Sequence, residues 1–293
     1  MVLTPLEKAA ILVEALPYIR KFSGQTVVIK YGGRAMLSEE LKQGVIADCI
    51  LLKLVGIHPV IVHGGGTAIE QMLKRLGKDW QFVRGQRVTD EETMEVVEMV
   101  LAGRVNKEIV NLINRLGGRG IGLSGKDANL IEARKQAPPA DPDGDQVDLG
   151  FVGEITRINP EIIETIRGEG YIPVLAPIGV GKDGETYNIN ADYVAGEVAA
   201  ALKANKLVLL TDVEGILEDR HDPASLISVI RTADVPDYIE RGIIAGGMIP
   251  KVECCVRALS QGVGRTHIID GRILHSILLE VFTDKGVGTM VVE

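Results

Sequence analysis

Two glycine-rich segments, residues 27–33 and 60–66, have the composition of phosphate-binding turns. Each begins with a β-branched run that predicts a strand, ends in adjacent glycines and is followed by sequence that can form a helix. Such a turn leaves several backbone N–H groups free, with no side chain in front of them. The first segment also carries a lysine, Lys30, just before its glycines. Together the two segments predict an enzyme that holds a phosphoryl group during its transfer.

Further polar side chains lie at the predicted ends of strands and starts of helices. In open α/β sheets, ligands bind at the carboxyl ends of the strands, so we expect these side chains to converge on one cleft. The residues concerned are Lys30, His63, Asn188, Asp192, Thr211, Asp212 and Lys251.

Three basic residues are explained better by function than by structure. A lysine on a buried strand, such as Lys30, is costly unless it meets an anion. Lys251 lies in the first predicted turn of a helix, where a cation opposes the helix dipole, so a bound phosphate explains it better. Arg87, at an element boundary before Val-Thr-Asp, suits a bidentate clamp on a carboxylate.

The remaining polar residues have a competing structural explanation. His63 taken alone fits a hydrogen-bonded core histidine better than a functional one. Asn188 and Asp192 are four residues apart around a predicted helix start, where helix capping accounts for one of them. Since capping requires only one of the two, we favour a functional role for both.

The chain alternates between strand-like and helix-like segments. The strand-like runs are 26–30, 59–63, 121–124, 129–133, 151–156, 172–176, 206–211 and 266–270. The helical patterns cover 38–54, 67–76, 91–115, 160–169, 191–204 and 247–262. This alternation predicts an α/β fold with a mostly parallel sheet covered on both faces. A stretch rich in Pro, Asp and Gly, Gln136 to Asp148, predicts an exposed turn.

The N-terminus predicts a separate amphipathic helix. Thr4 suits the N-cap, Pro5 the first helical position and Glu7 the third. Pro17 falls inside the apolar pattern and is expected to kink the helix. Its apolar face either packs back on its own domain or pairs with the same helix of another subunit, and the pattern does not separate these alternatives.

Composition excludes several classes of protein. The 293 residues carry a net charge of −8 with no basic run, which argues against a nucleic-acid partner. No apolar stretch reaches transmembrane length and no signal-peptide pattern is present, so we expect a cytoplasmic protein without a membrane partner. The three cysteines, Cys49, Cys254 and Cys255, form neither a disulfide pattern nor a zinc pattern. P-loop and complete dinucleotide fingerprints are also missing from the sequence.

The chain resembles the amino acid kinase family along nearly its whole length, in particular those members that phosphorylate N-acetyl-L-glutamate. The order and spacing of the matching segments make the resemblance specific, although Thr67 and Gln86 depart from the usual residues. The segments are KYGG at 30–33, HGGG at 63–66, RVTD at 87–90, 93–110, FVGEI at 151–155, NINAD at 188–192, LLTDVEGIL at 209–217 and GGMIPKV at 246–252.

The resemblance implies an open αβα sandwich of two lobes. Residues 1–23 would form a kinked oligomerisation helix, 24–204 an N-terminal lobe that binds the acyl amino acid, and 205–293 a C-terminal lobe that binds ATP and contains an arginine site. The implied reaction transfers the γ-phosphoryl group of ATP, with Mg²⁺, to the γ-carboxylate of N-acetyl-L-glutamate. This reaction is the second step of arginine biosynthesis.

The resemblance also assigns site residues. Its catalytic set is Lys30, Lys251, Asp192, Gly33 and Gly65. Its substrate set is Gly64, Gly65, Arg87 and Asn188. Its nucleotide set is Lys30, Gly32, Gly33, Thr211, Asp212, Gly215, Met248 and Lys251. It assigns no protein ligand to a metal ion.

Arginine inhibition is implied by the N-terminal helix, because arginine-sensitive relatives use such a helix to link dimers into a hexameric ring. The expected arginine site contains Tyr18, His267, Glu280 and Gly286, and a glutamate with backbone carbonyls suits a guanidinium. We therefore expect a homohexamer built as a trimer of dimers. Some relatives also bind the PII nitrogen-signalling protein, which makes PII a candidate partner.

Two kinds of rival function remain open. The first is another carboxylate or carbamate kinase of the same fold, which the segments around Arg87 and Asn188 disfavour. The second is a non-catalytic arginine sensor, which the presence of Lys30, Asp192 and Lys251 disfavours. A nicotinamide-dependent dehydrogenase is a more distant alternative, because no acidic ribose signature follows a glycine fingerprint.

Overall fold

The computed structural model describes residues 4–36, 38–138, 147–283 and 286–293. Its helices are α1 (Pro5–Phe22), α2 (Glu39–Leu54), α3 (Gly66–Arg75), α4 (Glu91–Glu98), α5 (Asn106–Arg115), α6 (Glu161–Gly168), α7 (Ala191–Ala201), α8 (Val235–Glu240), α9 (Ile249–Ser260) and α10 (Ser276–Phe282). Its strands are β1 (Thr26–Tyr31), β2 (His58–His63), β3 (Phe82–Val83), β4 (Gln86–Arg87), β5 (Gly120–Ser124), β6 (Ile131–Lys135), β7 (Gly153–Ile158), β8 (Ile172–Ala176), β9 (Ile178–Val180), β10 (Thr186–Asn188), β11 (Lys206–Thr211), β12 (Val229–Arg231), β13 (Arg265–Asp270) and β14 (Gly288–Val292).

The main sheet has eight strands in the order β12-β14-β13-β11-β1-β2-β8-β5. All neighbouring strands run parallel except β13 and β14, which are antiparallel. The central strand β1 lies between β2 and β11, and its Val27, Val28 and Ile29 are fully buried. The predicted α/β fold with a mostly parallel sheet is confirmed.

Helices cover both faces of this sheet and enclose two hydrophobic cores. Alternate residues of β1 point to opposite faces, so Val27 and Ile29 lie in one core and Val28 in the other. The first core contains buried residues of α2, α3, α5 and α10. The second contains buried residues of α6, α7 and α9. Within the second layer, α7 and α9 pack against each other, and α7 also contacts β1.

Smaller sheets complete the N-terminal part of the chain. Four strands pair in the order β10-β9-β6-β7, and β3 pairs with β4 in a short hairpin. Arg84 and Gly85 turn that hairpin with positive φ values of 50° and 77°, a conformation that suits the glycine. The hairpin matters for the site because its last residue is Arg87.

Several elements differ from the sequence prediction. The long helix expected over 91–115 contains a π-helical segment, Met99–Val105, between α4 and α5. The two strands expected at 129–133 and 151–156 each lie about two residues later, at β6 and β7. The strands β9, β10, β12 and β14 and the helices α8 and α10 were not predicted. Most of the exposed turn predicted over Gln136 to Asp148 lies outside the described residues.

The N-terminal helix leaves much of its apolar surface exposed. Its predicted cap is confirmed, because the Thr4 hydroxyl accepts from Glu7 N while the Glu7 carboxylate accepts from Thr4 N at 2.7 Å. The helix runs as one element through Pro17 and contacts α10. Leu6 is 80% and Leu12 73% exposed. Across the described ranges, none of the helices has the length and apolar character needed to cross a membrane.

Candidate active site

The two glycine-rich turns lie side by side at the carboxyl ends of β1 and β2. Residues Tyr31 and His63 are register partners in these parallel strands, and Gly64 N–H donates to Tyr31 O at 2.7 Å. A Cβ atom on Gly32 would lie 3.1 Å from Lys30 Nζ, so glycine keeps this lysine's position open. The packing therefore places the two turns next to each other at one edge of the sheet.

The second turn opens helix α3 without a side-chain cap. Gly65 occupies the N-cap position and has no side chain that could cap the helix. The first N–H groups of α3 therefore face the turn without an intrahelical partner. Gly33, in the first turn, has a φ of 65° that favours glycine. Together the turns supply backbone donors and the positive end of a helix dipole, which is an environment for an anion.

A carboxylate, Asp192, joins the two lysines expected to act on the phosphoryl group. Lys30 Nζ lies 3.0 Å from Asp192 Oδ1, and Lys251 Nζ lies 2.6 Å from Asp192 Oδ2. Burial alone would raise the pKa of Asp192, but the two ammonium groups outweigh that effect and lower the pKa below its ordinary value. The triad therefore carries a net charge of +1 at neutral pH, directed at the glycine turns.

Three separate elements position this triad. Asn190 caps α7 by accepting from Asp192 N at 2.8 Å, which sets the start of the helix and the direction of the Asp192 side chain. Lys251 extends from the first turn of α9, and Lys30 from β1. The Asp192 side chain is only 8% exposed, whereas those of Lys30 and Lys251 are 12% and 22% exposed. Each ammonium group therefore remains accessible to a bound ligand on one side.

Arg87 has one guanidinium nitrogen free to bind a ligand. Its Nη2 donates to Glu70 Oε1 at 2.9 Å, and the guanidinium lies 4.5 Å from the centre of the Phe82 ring. The side chain is 4% exposed, yet Nη1 is buried without a hydrogen-bond partner among the described residues. A buried unsatisfied donor is costly, so Nη1 marks a place where an acceptor from a ligand would be stabilised.

Asn188 faces the same cavity as Arg87. Its Nδ2 donates to Thr89 Oγ1 at 3.2 Å, and Thr89 Oγ1 donates to the Arg87 backbone carbonyl at 2.8 Å. This cavity has a volume of about 300 Å³. Its lining includes the predicted catalytic and substrate residues except Lys251, together with Gly32 of the nucleotide set: Lys30, Gly32, Gly33, Gly64, Gly65, Arg87, Asn188 and Asp192. The cavity can hold a small molecule with a carboxylate at one end and an anionic reaction centre at the other.

His63 is a structural residue, as its local pattern indicated. It is fully buried, its Nδ1–H donates to Gly64 O at 2.8 Å and its Nε2 accepts from Asn106 Nδ2 at 3.3 Å. Burial lowers the pKa of His63 to about 4, so the ring is neutral at pH 7. Asn106, which also donates to Val174 O at 2.9 Å, was not anticipated from the sequence. The pair holds the second glycine turn in place.

The remaining nucleotide residues lie beside this cavity rather than in its lining. Thr211 ends β11, which pairs directly with β1, and its Oγ1 donates to Val213 O at 2.9 Å. Asp212 and Gly215 follow in the next loop, and Met248 ends the 3₁₀ turn before α9. They share with Lys30 the carboxyl edge of the main sheet.

A larger cavity of about 500 Å³ lies on the other side of the glycine turns. It shares Gly33 and Gly65 with the first cavity and extends between α2, α3 and α5. Its charged walls include the ion pair of Lys42 with Glu39 and that of Arg104 with Glu108. Within the described ranges, no group of three or more His, Cys, Asp or Glu side chains is arranged to hold a metal ion.

Residues expected to bind arginine form a second cluster between strand β13, which carries His267, and helix α10, which carries Glu280. His267 Nδ1 lies 2.7 Å from Glu280 Oε1, and His267 Nε2 accepts from Lys206 Nζ at 3.2 Å. Val287 N–H donates to Glu280 Oε2 at 3.0 Å next to Gly286, whose φ is 60°. Burial lowers the pKa of His267 and lowers that of Lys206 to about 8.

Tyr18 lies on α1, the helix that contacts α10, and packs against the first hydrophobic core. Burial alone would raise the pKa of Glu280, but its hydrogen bond with His267 helps to lower the pKa below the ordinary value. Lys206, which also lies 5.1 Å from the ring of Phe22, was not anticipated. The structure thus brings His267, Glu280 and Gly286 together, whereas their predicted role in binding arginine stays a prediction.

The fold and the site define a class of protein. Residues 25–270 match the model of the amino acid kinase family, and the chain belongs to that family. It is 68% identical to a curated protein named acetylglutamate kinase from Moorella thermoacetica, over 100% of this chain and 99% of that protein.

Solved structures with a similar fold include two of an N-acetylglutamate synthase. N-acetylglutamate synthase from Neisseria gonorrhoeae, complexed with coenzyme A and N-acetyl-glutamate, matches with a TM-score of 0.83 and 28% identity. The match covers 97% of this chain and 63% of that one. The same synthase complexed with coenzyme A and L-arginine matches with a TM-score of 0.79 and 27% identity, over 97% of this chain and 65% of that chain.

Proposed function

We propose that this protein transfers the γ-phosphoryl group of ATP to the γ-carboxylate of N-acetyl-L-glutamate, forming an acyl phosphate in the second step of arginine biosynthesis. The observation that carries the proposal is the Lys30–Asp192–Lys251 triad at the glycine turns, with the unsatisfied Arg87 Nη1 in the same cavity. The full-length similarity to acetylglutamate kinases supports this choice of substrate.

The proposed chemistry requires positive charge rather than a general base. A carboxylate with a pKa of about 4.3 is already ionised at neutral pH and can attack phosphorus directly. The difficulty is that one anion must approach another, so the transition state is stabilised by cations and N–H dipoles. Lys30 and Lys251 would neutralise the equatorial oxygens of the transferring group, and the N–H groups of Gly33 and Gly65 would donate to them. Asp192 would hold the two lysines in position.

The substrate would lie between the triad and Arg87. Arg87 Nη1 would donate to the α-carboxylate, while Nη2 stays engaged with Glu70. Asn188 would lie close to the acetamido group, and the N–H groups of Gly64 and Gly65 close to the reacting γ-carboxylate. Holding both ends of the substrate limits its motion and favours a conformation ready for attack.

ATP would bind along the carboxyl edge of β11 and the start of α9. Thr211, Asp212, Gly215 and Met248 would border the nucleotide, and Lys30, Gly32, Gly33 and Lys251 its phosphates. Mg²⁺ would enter as part of the nucleotide substrate, because it keeps several waters and binds mainly through phosphate oxygens. A reaction that consumes ATP, in a chain whose Cys49, Cys254 and Cys255 are all free and buried, suits the cytoplasm.

The test is ATP-dependent formation of acyl phosphate, trapped with hydroxylamine, from N-acetyl-L-glutamate, free glutamate, aspartate and carbamate in parallel. We expect turnover with N-acetyl-L-glutamate and little with the others. Preferred turnover of another acceptor would assign the protein to a different carboxylate or carbamate kinase. A protein that binds arginine without turning over any acceptor would be an arginine sensor.

Replacing Arg87 with lysine should raise the KM for N-acetyl-L-glutamate by about tenfold or more, because lysine cannot reproduce a bidentate fork and one such charged contact contributes about 1.5–3 kcal/mol. The KM for ATP should change much less, since Arg87 is assigned to the α-carboxylate and the nucleotide residues Thr211, Asp212, Gly215 and Met248 lie outside the lining of its cavity. Steady-state kinetics with each substrate varied would measure both values. Arg84→Lys, in the same hairpin, is the matched control, and a change confined to ATP would refute the assignment.

We also propose that arginine inhibits the enzyme at the His267–Glu280 cluster. The support is the buried carboxylate and the neighbouring Gly286 backbone, whose chemistry suits a guanidinium. Glu280→Gln should raise the arginine concentration for half-inhibition by about tenfold or more, since a charge-assisted contact is lost, while kcat without arginine changes little. The control is Glu240→Gln at an exposed site. Unchanged inhibition by arginine would place the effector elsewhere.

The exposed apolar face of α1 supports a hexamer in which this helix links dimers. Leu6, Leu12 and Val13 are all more than half exposed in the single chain. Removing residues 1–23 should leave a dimer that arginine no longer inhibits, as measured by light scattering and by inhibition curves. Lys8→Ala, which leaves the apolar face intact, should remain hexameric. A truncated protein that is still a hexamer would overturn this role, and binding of PII stays a prediction.

A further inference from the structure

The catalytic ion pair between α7 and α9 is followed one turn later by a second contact between the same helices. Gly196 lies four residues after Asp192 on α7, and Cys254 lies three residues after Lys251 on α9. Residues at these spacings share one face of a helix, so both members of each pair face the other helix. The two helices therefore meet at two successive levels.

The second contact is close and specific. A Cβ atom on Gly196 would lie 2.8 Å from Cys254 Sγ, which is shorter than the contacts that Cβ atoms make in proteins. Cys254 Sγ–H donates to the backbone carbonyl of Asp192 at 3.0 Å. Cys254 is 2% exposed, and Gly196 is buried as well. The cysteine thus touches both the glycine of the second level and the backbone of the aspartate in the first.

We propose that Gly196 and Cys254 are positioning residues for phosphoryl transfer: their contact sets the separation of α7 and α9 and so places the Lys251 ammonium on Asp192. This inference rests on the proposed kinase function. The Lys251–Asp192 distance of 2.6 Å leaves little room for a change in the spacing of the helices. Lys30 reaches Asp192 from β1, so its position does not depend on α9.

The neighbouring residue Cys255 is a cysteine that packs in the same core as Cys254. Cys255 is also buried, and burial raises the pKa of its thiol to about 12, but its hydrogen-bonding neighbour is Thr266 on β13. Cys255 therefore anchors α9 to the sheet, whereas Cys254 anchors it to α7 and Asp192. The two residues have the same type, helix and burial, which makes Cys255 a matched control.

Gly196→Ala should lower kcat by about 10- to 100-fold, because the added methyl group forces α9 away from α7 and displacements near 1 Å at a catalytic group have effects of this size. The KM for N-acetyl-L-glutamate should stay within about twofold, since Arg87 and Asn188 lie on other elements. The double variant Gly196→Ala with Cys254→Ala, in which the methyl group has space, should recover kcat to about the level of Cys254→Ala alone. Gly168→Ala, at a helix position with open space around the added carbon, is the control.

Cys254 can be tested without added bulk. Cys254→Ala should lower kcat by about threefold or more, and Cys254→Ser, which keeps a donor to Asp192 O, should stay closer to the wild type than the alanine variant. Cys255→Ala should leave kcat within about twofold. Wild-type kcat in both Gly196→Ala and Cys254→Ala would overturn the proposal, as would an equal loss in Cys254→Ala and Cys255→Ala.

A readout independent of turnover separates this inference from the proposed function. The carboxyl ¹³C shift of Asp192 can be titrated in protein labelled at aspartate, because its pKa depends on both lysines. If Gly196→Ala moves Lys251 away, the pKa of Asp192 should rise relative to the wild type and return in the double variant. An unchanged pKa in folded Gly196→Ala would contradict the proposal even if no kinase activity were found.

Discussion

Lys251→Ala is expected to lower kcat for acyl phosphate formation by about 10²- to 10³-fold, the usual effect of removing one donor to a charged transition state. Lys30→Ala should have an effect of the same order, because each lysine contributes one ammonium group to the same triad. Lys30 Nζ lies 3.0 Å and Lys251 Nζ 2.6 Å from the Asp192 carboxylate. The KM for N-acetyl-L-glutamate should change much less, since neither lysine is expected to bind its α-carboxylate or acetamido group. Single-turnover measurements at saturating substrates would isolate the chemical step.

Lys182→Ala, at an exposed loop position, provides the control for loss of a positive charge. A Lys251 or Lys30 variant with near-normal kcat would remove that lysine from the transition-state role. A variant that instead raises only the KM for ATP would assign its lysine to ground-state binding of the nucleotide.

Asp192→Asn is expected to lower both activity and stability. The amide keeps the volume of the side chain but leaves two mostly buried ammonium groups without their shared counter-ion. Breaking a buried ion pair in this way typically costs about 3–5 kcal/mol of unfolding free energy. Because Lys251 is partly exposed to solvent, we expect a loss of about 3 kcal/mol or less. Urea unfolding at pH 7 would measure it, with Asp79→Asn at an exposed position as the control.

The effect of this substitution should depend on pH. The two lysines lower the folded-state pKa of Asp192 below that of the unfolded chain, about 3.9. The stabilisation is therefore fully present above the unfolded pKa and is lost as the pH falls through the lower folded value. The difference in unfolding free energy between the wild type and Asp192→Asn should shrink below about pH 4. A difference that stays constant into strong acid would show that ionisation of Asp192 is not its cause.

The parts of the site that the sequence could predict depend on local chemistry. A β-branched run followed by adjacent glycines, as at 27–33 and 60–66, has few structures other than a strand and an open turn. Lys30 and Lys251 stood out because each occupies a place that is unfavourable for a cation without a ligand. The rule for strand ends placed Asp192 in the same cleft as these lysines, but only the family resemblance made it their shared partner. The two contacts join residues 162 (192 − 30) and 59 (251 − 192) positions apart along the chain.

Other parts of the site depend on long-range packing. Glu70 fixes Arg87 across a hairpin of two-residue strands, β3 and β4, which are too short to leave a periodic pattern. Asn106 resembles a surface position on an amphipathic helix, but the π-helical segment before it changes which residues face inward. The three-residue strand β12 and the seven-residue helix α10 were missed for the same reason of length.

The main sheet runs without a break through the boundary predicted near residue 204. Strand β1, from the first part of the chain, pairs with β11, from the second, over four register positions from Val27↔Lys206 to Lys30↔Leu209. We therefore expect the two parts to respond to load as one twisted sheet rather than as two bodies on a flexible tether. A movement that brings ATP toward the acceptor would then be taken up as a small change of twist spread over several strands. The stiffness of those strands, more than a hinge residue, would then set how far and how fast the cleft opens.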